Sequence, residues 1–284
     1  MAYKVALVTD STCDIPKELL EKYEITVVPM TVIFGDQAYM DGCDITPLEF
    51  YERLKTDPHH PTTSQPTPED FVKAYEKATE SGAEEVLTIV ISSQMSGTYD
   101  SAVRAAQMFE KSVQVLDSHN NSMGLGWQVI AAARTREAGG DLAAMMKSAK
   151  KVSAKMVYYV ALDTIEYLSK GGRIGGAVKF LDSILKVKPL IYVKPETGTV
   201  APALPSRSRA GVLKSLYNEF FKHIDTSKPL HITILHNNAE EDAKTIEARV
   251  REEYSPLEIF TTIVTPILGV HTGPGAVAIY GYAE

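Results

Sequence analysis

Short apolar runs alternate with amphipathic stretches along most of the chain, a rhythm that predicts strands joined by helices. Lys4 to Thr9 reads as a buried strand, followed by the polar turn Asp10-Ser11-Thr12-Cys13-Asp14; Ile15-Pro16 then leads into a helix at Lys17-Glu18-Leu19-Leu20. A β-branched stretch from Ile25 to Phe34 ends at Gly35-Asp36, and Thr46-Pro47-Leu48-Glu49 has the capping-box spacing of a helix start. That helix stops near Asp57-Pro58. The segment from Asp57 to Pro66 has no apolar periodicity and is stiffened by Pro58, Pro61 and Pro66, so it reads as a loop before a second capped helix at Thr67-Pro68-Glu69-Asp70.

The unit then repeats. Val86 to Ile91 is a strand running into Ser92-Ser93-Gln94-Met95-Ser96-Gly97-Thr98 and a helix through Phe109. Val113 to Leu116 is another, running into Asp117 to Ser122 and a helix from Met123 to Arg136. Such alternation predicts an α/β fold with a mainly parallel sheet. After a helix from Asp141 to Ala154, the strand Val157 to Ala161 opens a second α/β region. It contains Gly171-Gly172-Arg173-Ile174-Gly175-Gly176, strands at Leu190 to Val193 and Ile232 to Leu235, helices at Ala210 to His223 and Ala243 to Glu253, and an apolar end at Ala276 to Tyr282. The boundary falls near residue 155, giving units of 1–155 and 156–284.

Composition narrows the functional classes. The 29 Lys and Arg against 36 Asp and Glu leave a net charge of −7, which works against attraction to a polyphosphate backbone. Cys13 and Cys43 are the only cysteines and form neither a zinc framework nor a disulfide scaffold. No uninterrupted apolar run approaches a membrane span, and the apolar run after Met1-Ala2-Tyr3-Lys4 meets Asp10 before a signal-peptide core could end. A cytoplasmic protein is the expectation.

Two hydroxyl clusters carry the candidate chemistry: Thr62-Thr63-Ser64, and Ser92-Ser93 with Ser96-Gly97-Thr98. Both stand just ahead of helices, where unpaired N–H groups favour an anion, and Gly97 would admit a ligand close to the main chain. Each hydroxyl could equally be a helix cap, but two such loops at consecutive strand ends fit the ligand crevice of open α/β sheets. Neither loop contains Lys or Arg, so the expected ligand is a singly charged headgroup, such as a carboxylate, held by neutral donors. There is no GxxxxGK[ST] loop and no GxGxxG, which leaves nucleotide binding without support, and no GxSxG elbow. The adjacent His59-His60 and the pair Asp10 and Asp14 make no metal-ligand motif. His271, in His271-Thr272-Gly273-Pro274-Gly275, either reaches a headgroup across the cleft or satisfies a local hydrogen bond. Arg173, Arg207 and Arg209 are either solvated charge or a docking surface for an acidic partner.

Taken together, Val8-Thr9-Asp10-Ser11-Thr12-Cys13-Asp14, Thr62-Thr63-Ser64-Gln65-Pro66, Ser92-Ser93-Gln94-Met95-Ser96-Gly97-Thr98-Tyr99, Lys170-Gly171-Gly172-Arg173-Ile174, Lys188-Pro189 and the His271 motif resemble, in order and over nearly the whole chain, the DegV family of bacterial fatty-acid-binding proteins. The resemblance implies a two-domain α/β fold with a long acyl chain, for example palmitate or oleate, in a buried tunnel. It implies that Thr63 and Ser96 are the principal donors to the carboxylate, with Thr62, Ser93, Gly97 and His271 around it. It also implies that Arg173 and Arg207 meet a separate ATP-dependent fatty acid kinase that makes the acyl-phosphate. No metal, cofactor, nucleic acid or membrane segment belongs to that reading, in which the chain is a carrier without catalysis of its own. Two alternatives stand beside it: a hydrolase or transferase acting on a small anion through Ser96 and His271, and a regulatory module whose lipid occupancy controls partner docking.

Overall fold

A computed structural model describes residues 3–183 and 187–284. Met1 and Ala2, part of the stretch read for a signal peptide, lie outside them. In chain order the strands are β1 (Val5–Asp10), β2 (Ile25–Val28), β3 (Thr31–Phe34), β4 (Gln37–Met40), β5 (Thr62–Ser64), β6 (Glu85–Val90), β7 (Ser112–Asp117), β8 (Val157–Ala161), β9 (Leu190–Lys194), β10 (Thr199–Pro202), β11 (Leu230–His236), β12 (Glu258–Ile263) and β13 (Val277–Ala283). The helices are α1 (Lys17–Lys22), α2 (Pro47–Thr56), α3 (Pro68–Thr79), α4 (Thr98–Met108), α5 (Ser122–Glu137), α6 (Leu142–Lys155), α7 (Glu166–Lys170), α8 (Arg209–His223), α9 (Glu240–Tyr254) and α10 (Pro266–Thr272).

Among the described residues three sheets form. β2-β1-β6-β7 form the parallel sheet that strand–helix alternation predicts. β10-β9-β8-β13-β11-β12 form a mixed sheet, antiparallel except between β11 and β12. β4-β3-β5 form a small antiparallel sheet that the sequence reading did not anticipate. The β-branched stretch from Ile25 to Phe34 is therefore two strands in two sheets. Pro29 lies at the break, where a residue without N–H cannot continue a ladder. The proline-rich segment read as pure loop contains β5, which pairs with β3.

The capping box read at Thr46 forms, and the capped start read at Thr67 is a capping box as well. Thr46 accepts from the Glu49 amide while the Glu49 carboxylate accepts from the Thr46 amide, and Thr67 and Asp70 do the same for α3. α5 lies against both large sheets, so apolar residues surround it on all sides. Trp127 is fully buried and stacks on Phe260 at 5.3 Å, while Met123 and Leu125 share its core with Leu7 and Leu87. At the end of β1, the buried Asp10 carboxylate accepts from the Thr12 amide and hydroxyl and, at 2.7 Å, from the Ile91 amide. It thereby ties the loop after β1 to the loop after β6. α10 belongs to the second half of the chain but packs into the first: Ile267 and Val270 share a core with Val32, Phe34, Phe50 and Tyr51.

Candidate functional site

A cavity of about 370 Å³ lies between the mixed sheet, the small sheet and the loops after β6 and β7. That volume is in the range of small-molecule sites, about 300–1,000 Å³. Its larger wall is apolar for a reason written in strand register. Ile191, Val160, Ala278 and Leu235 stand side by side on β9, β8, β13 and β11, and all four face the cavity. Because side chains alternate faces with period two, Val193 and Tyr280, two residues along from Ile191 and Ala278, line it as well. α10 adds Ile267 and Leu268.

Polar groups gather where loops of the first half meet α10. Thr63 Oγ1 and His271 Nε2 share a hydrogen bond of 3.2 Å across 208 residues of sequence. β5 presents Thr63, and the last turn of α10 presents His271; the Asn237 amide donates to Thr272 Oγ1 and to the Gly273 carbonyl, both at 2.7 Å, fixing the turn that follows. Ser96 lines the same cavity at the start of α4, where its hydroxyl bonds Thr98 Oγ1 at 2.8 Å and accepts from the Thr98 amide. The N-cap of α4 is Gly97, which has no side-chain cap, so this bond of Ser96 is a local turn contact and not the helix cap read for it.

The His271 imidazole is held far below its ordinary range, at about 4, by burial first and then by the nearby Arg173 and His60. It is neutral at physiological pH. Its Nδ1 is buried without a partner and lies against Gly171, where a Cβ would come within 2.1 Å of that nitrogen. Gly171 is therefore a glycine because an imidazole occupies the space of a side chain.

The remaining sequence candidates are placed differently. Thr62 faces solvent and is not part of the cavity lining. The Ser93 amide donates to the Asp117 carboxylate at 3.2 Å, and Ser93 is not part of the cavity lining. Gly97 also stands off the lining: its Cβ position is filled by the Gln65 side chain, so Gln65, not a ligand, makes the close approach there. Arg207 is exposed and away from the cavity, whereas Arg209 is bound to Asp242 at 2.6 Å.

Two expectations need correction. Thr62 to Ser64 do stand ahead of a helix, α3, but they are not a loop at the end of a parallel strand: they form the antiparallel strand β5, because β3 offers its free edge there. Nor is the cavity free of cations. Arg173 lines it, donating through Nε to the Met95 carbonyl at 3.2 Å and through Nη1 to the Gly171 carbonyl at 2.8 Å. The charge comes from a turn far from the hydroxyl loops in sequence, 78 residues beyond its Met95 contact. Gln65, Asn121 and Tyr280 were also missed; the Tyr280 hydroxyl donates to Asn121 Oδ1 at 2.9 Å within the lining. Asn121 occupies a helix N-cap position without capping the helix through its side chain, a departure that sequence alone could not show.

Among the described residues no group of three or more His, Cys, Asp or Glu is placed to hold a metal ion, and no helix is long and apolar enough to cross a membrane. Ser96 and His271 each bond a threonine, and no hydrogen bond joins them. The nucleophile–base pairing of an acyl-transfer site is not formed.

Comparison with known proteins agrees with this geometry. A family model described as "uncharacterised protein, DegV family" matches residues 4–284. A DegV domain-containing protein of Streptomyces coelicolor is 35% identical over 281 residues, covering 98% of each chain. Among solved structures, a DegV family protein from Thermus thermophilus, described as fatty acid binding, superposes with a TM-score of 0.92 at 32% identity, over 99% of this chain and 100% of its own. DegV of Bacillus subtilis, described as a fatty acid binding protein, superposes with a TM-score of 0.90 at 29% identity, again over 99% and 100%. With its motifs, fold and full-length match in agreement, this chain belongs to the DegV family.

Proposed function

We propose that this protein binds one long-chain fatty acid, tail in the 370 Å³ cavity and carboxylate at Thr63, Ser96 and His271. The observation that carries the reading is the joining of an apolar cross-strand row to a hydroxyl–imidazole pair at one cavity. Each buried methylene contributes about 0.8 kcal/mol, so the tail supplies most of the affinity. The hydroxyls and a neutral imidazole orient the head by hydrogen bonds to a charged acceptor, roughly 1.5–3 kcal/mol each. Arg173, at the rim, supplies a cation that neither hydroxyl loop contains.

In this reading residues 1–155 contribute the head-binding loops and 156–284 the greater part of the tail wall. The protein is a cytoplasmic carrier, and a separate ATP-dependent kinase phosphorylates the presented carboxylate, docking through Arg173 and Arg207. The fatty-acid-binding descriptions of the Thermus thermophilus and Bacillus subtilis relatives support the lipid half of this proposal. Solvent extraction of the purified protein followed by mass spectrometry, with palmitate and oleate titrations of the stripped protein, tests it. An acyl ligand or stoichiometric uptake is expected; neither appearing would overturn it.

A further inference from the structure

The wall that presents His271 is held from an unexpected direction. α10 begins without a side-chain cap of its own, so its first amides need partners from elsewhere. Asp14 provides one across 251 residues: its Oδ1 accepts from the Thr265 amide at 2.9 Å. Its Oδ2 accepts from Ser122 Oγ at 2.5 Å, and Ser122 lines the cavity at the start of α5. One buried carboxylate thus joins two walls of the cavity, one from each half of the chain. Both residues hold left-handed backbones, Asp14 and Ser122 each at φ 49°. For serine this is uncommon, and such conformations persist only where surrounding contacts over-determine them.

Further contacts continue along the same helix. Tyr51 donates to the Val264 carbonyl at 3.3 Å, and a Cβ on Gly269 would meet the Phe50 ring at 2.6 Å, so the helix backbone is seated on those aromatic rings. The far end closes on Thr63 through His271. Beside Asp14, Asp41 is deeply buried, close to the Ser11 hydroxyl and the Ile267 amide of α10 but without a full hydrogen bond to either, and burial pushes it up to about 8. Asp41 is accordingly the neutral acid, and Asp14, raised only to about 6 because Ser122 and Thr265 donate to it, is the ionised one at neutral pH.

We infer that Asp14 is a positioning residue for His271: it fastens the amino end of α10 to the first half of the chain, and the rigid helix carries that fixation to the imidazole at its other end. The effect on ligand affinity rests on the fatty-acid reading above; the effect on the imidazole does not.

The test uses the full chain and palmitate as probe. Asp14→Ala is expected to weaken palmitate binding about tenfold, and to change it less than twofold when His271→Ala is already present, because the two substitutions remove one function. Thr265→Pro removes the amide donor together with the Thr265 side chain, at a φ of −59° that proline adopts, and is expected to reproduce the Asp14→Ala loss, whereas Thr265→Ala, which keeps the amide, is not. In ligand-free protein both variants are expected to shift the imidazole resonances of His271. Asp14→Asn, which keeps an acceptor for Thr265 and a polar group for Ser122, is expected to restore them. Losses that multiply in the double variant, or unmoved His271 resonances in a folded variant, would overturn the inference. Where Asp14→Ala does not fold, Thr265→Pro decides. A wild-type protein that takes up no palmitate would overturn the fatty-acid reading instead, with the ligand-free resonances still deciding the role of Asp14.

Discussion

The two halves of the chain build opposite kinds of wall around one cavity. Up to residue 155 the lining comes from strand ends and loops and is mostly polar: Thr63, Ser64, Gln65, Ser96, Asn121 and Ser122, against Met30, Ile91 and Met95. Beyond it, the lining comes from the face of a mixed sheet and is dominated by Val, Ile, Leu and Ala. A parallel sheet covered on both faces keeps its own strands inside its core and offers only its loops for binding, whereas a mixed sheet is able to turn an apolar face toward a space. In the proposed reading, head recognition and tail burial fall to different secondary-structure contexts, and His271 on α10 is the point where the second half reaches into the polar part.

That contrast is open to attack from the tail side first. Ala278→Phe places a ring in the cross-strand row between Val160 and Leu235. Excluding four methylenes at about 0.8 kcal/mol each weakens binding of palmitate on the order of 100-fold. Titration with a series of shorter acids is expected to show recovery as the tail shrinks; an unchanged profile would mean the sheet face is not the tail wall.

From the polar side, Thr63→Ala with Ser96→Ala is expected to lower palmitate affinity on the order of 100-fold, about as much as the tail block, since two bonds to a charged acceptor are lost at about 1.5 kcal/mol each. The methyl ester, lacking the charged acceptor, is expected to respond to the pair by less than threefold. Equal losses for acid and ester would remove these hydroxyls from head recognition.

The seam between the walls has a pH signature. Asp41 is raised from 3.8 to about 8 by burial, so its favourable contribution is complete below pH 3.8 and is lost as pH rises through 8. His271, lowered from 6.5 to about 4, acts in the opposite sense: its contribution is present above pH 6.5 and lost as pH falls through 4. Asp41→Asn is therefore expected to raise the Tm by about 2–6 °C at pH 9 and to leave it unchanged at pH 3.5, as thermal melts at the two pH values would show. A gain of the same size at both would refute burial of a titrating carboxyl.

The smallest effect on lipid affinity is expected from Arg173→Ala. Its guanidinium is exposed and bonded to two carbonyls, so palmitate binding is expected to stay within threefold while phosphorylation of the bound acid by the proposed kinase falls. Unchanged phosphorylation would take Arg173 out of docking.

Much of the architecture was readable in the residues because local signals agreed with it: the Thr46 and Thr67 capping boxes, the apolar runs of β1, β6 and β11, and the alternation of strand and helix. The small sheet was not, since β5 is a three-residue strand of hydroxyls whose only strand signal is the edge of β3, a long-range partner. The joining of Thr63 to His271 came from the motif resemblance, as no periodicity relates positions 208 residues apart. Arg173 at the rim and Asp14 beneath α10 were hidden for the same reason. Asp14 looked like one polar residue in a turn, and its partners, Ser122 and Thr265, are identified only by the fold.

A crystal structure of the protein with bound palmitate tests the division between the two walls most directly. The carboxylate is expected within hydrogen-bond distance of Thr63 Oγ1 and Ser96 Oγ, with the hydrocarbon running over Val160, Ile191 and Ala278. A carboxylate at Asn121 and Tyr280 with its tail toward Arg173, or a lipid bound outside this cavity, would contradict it.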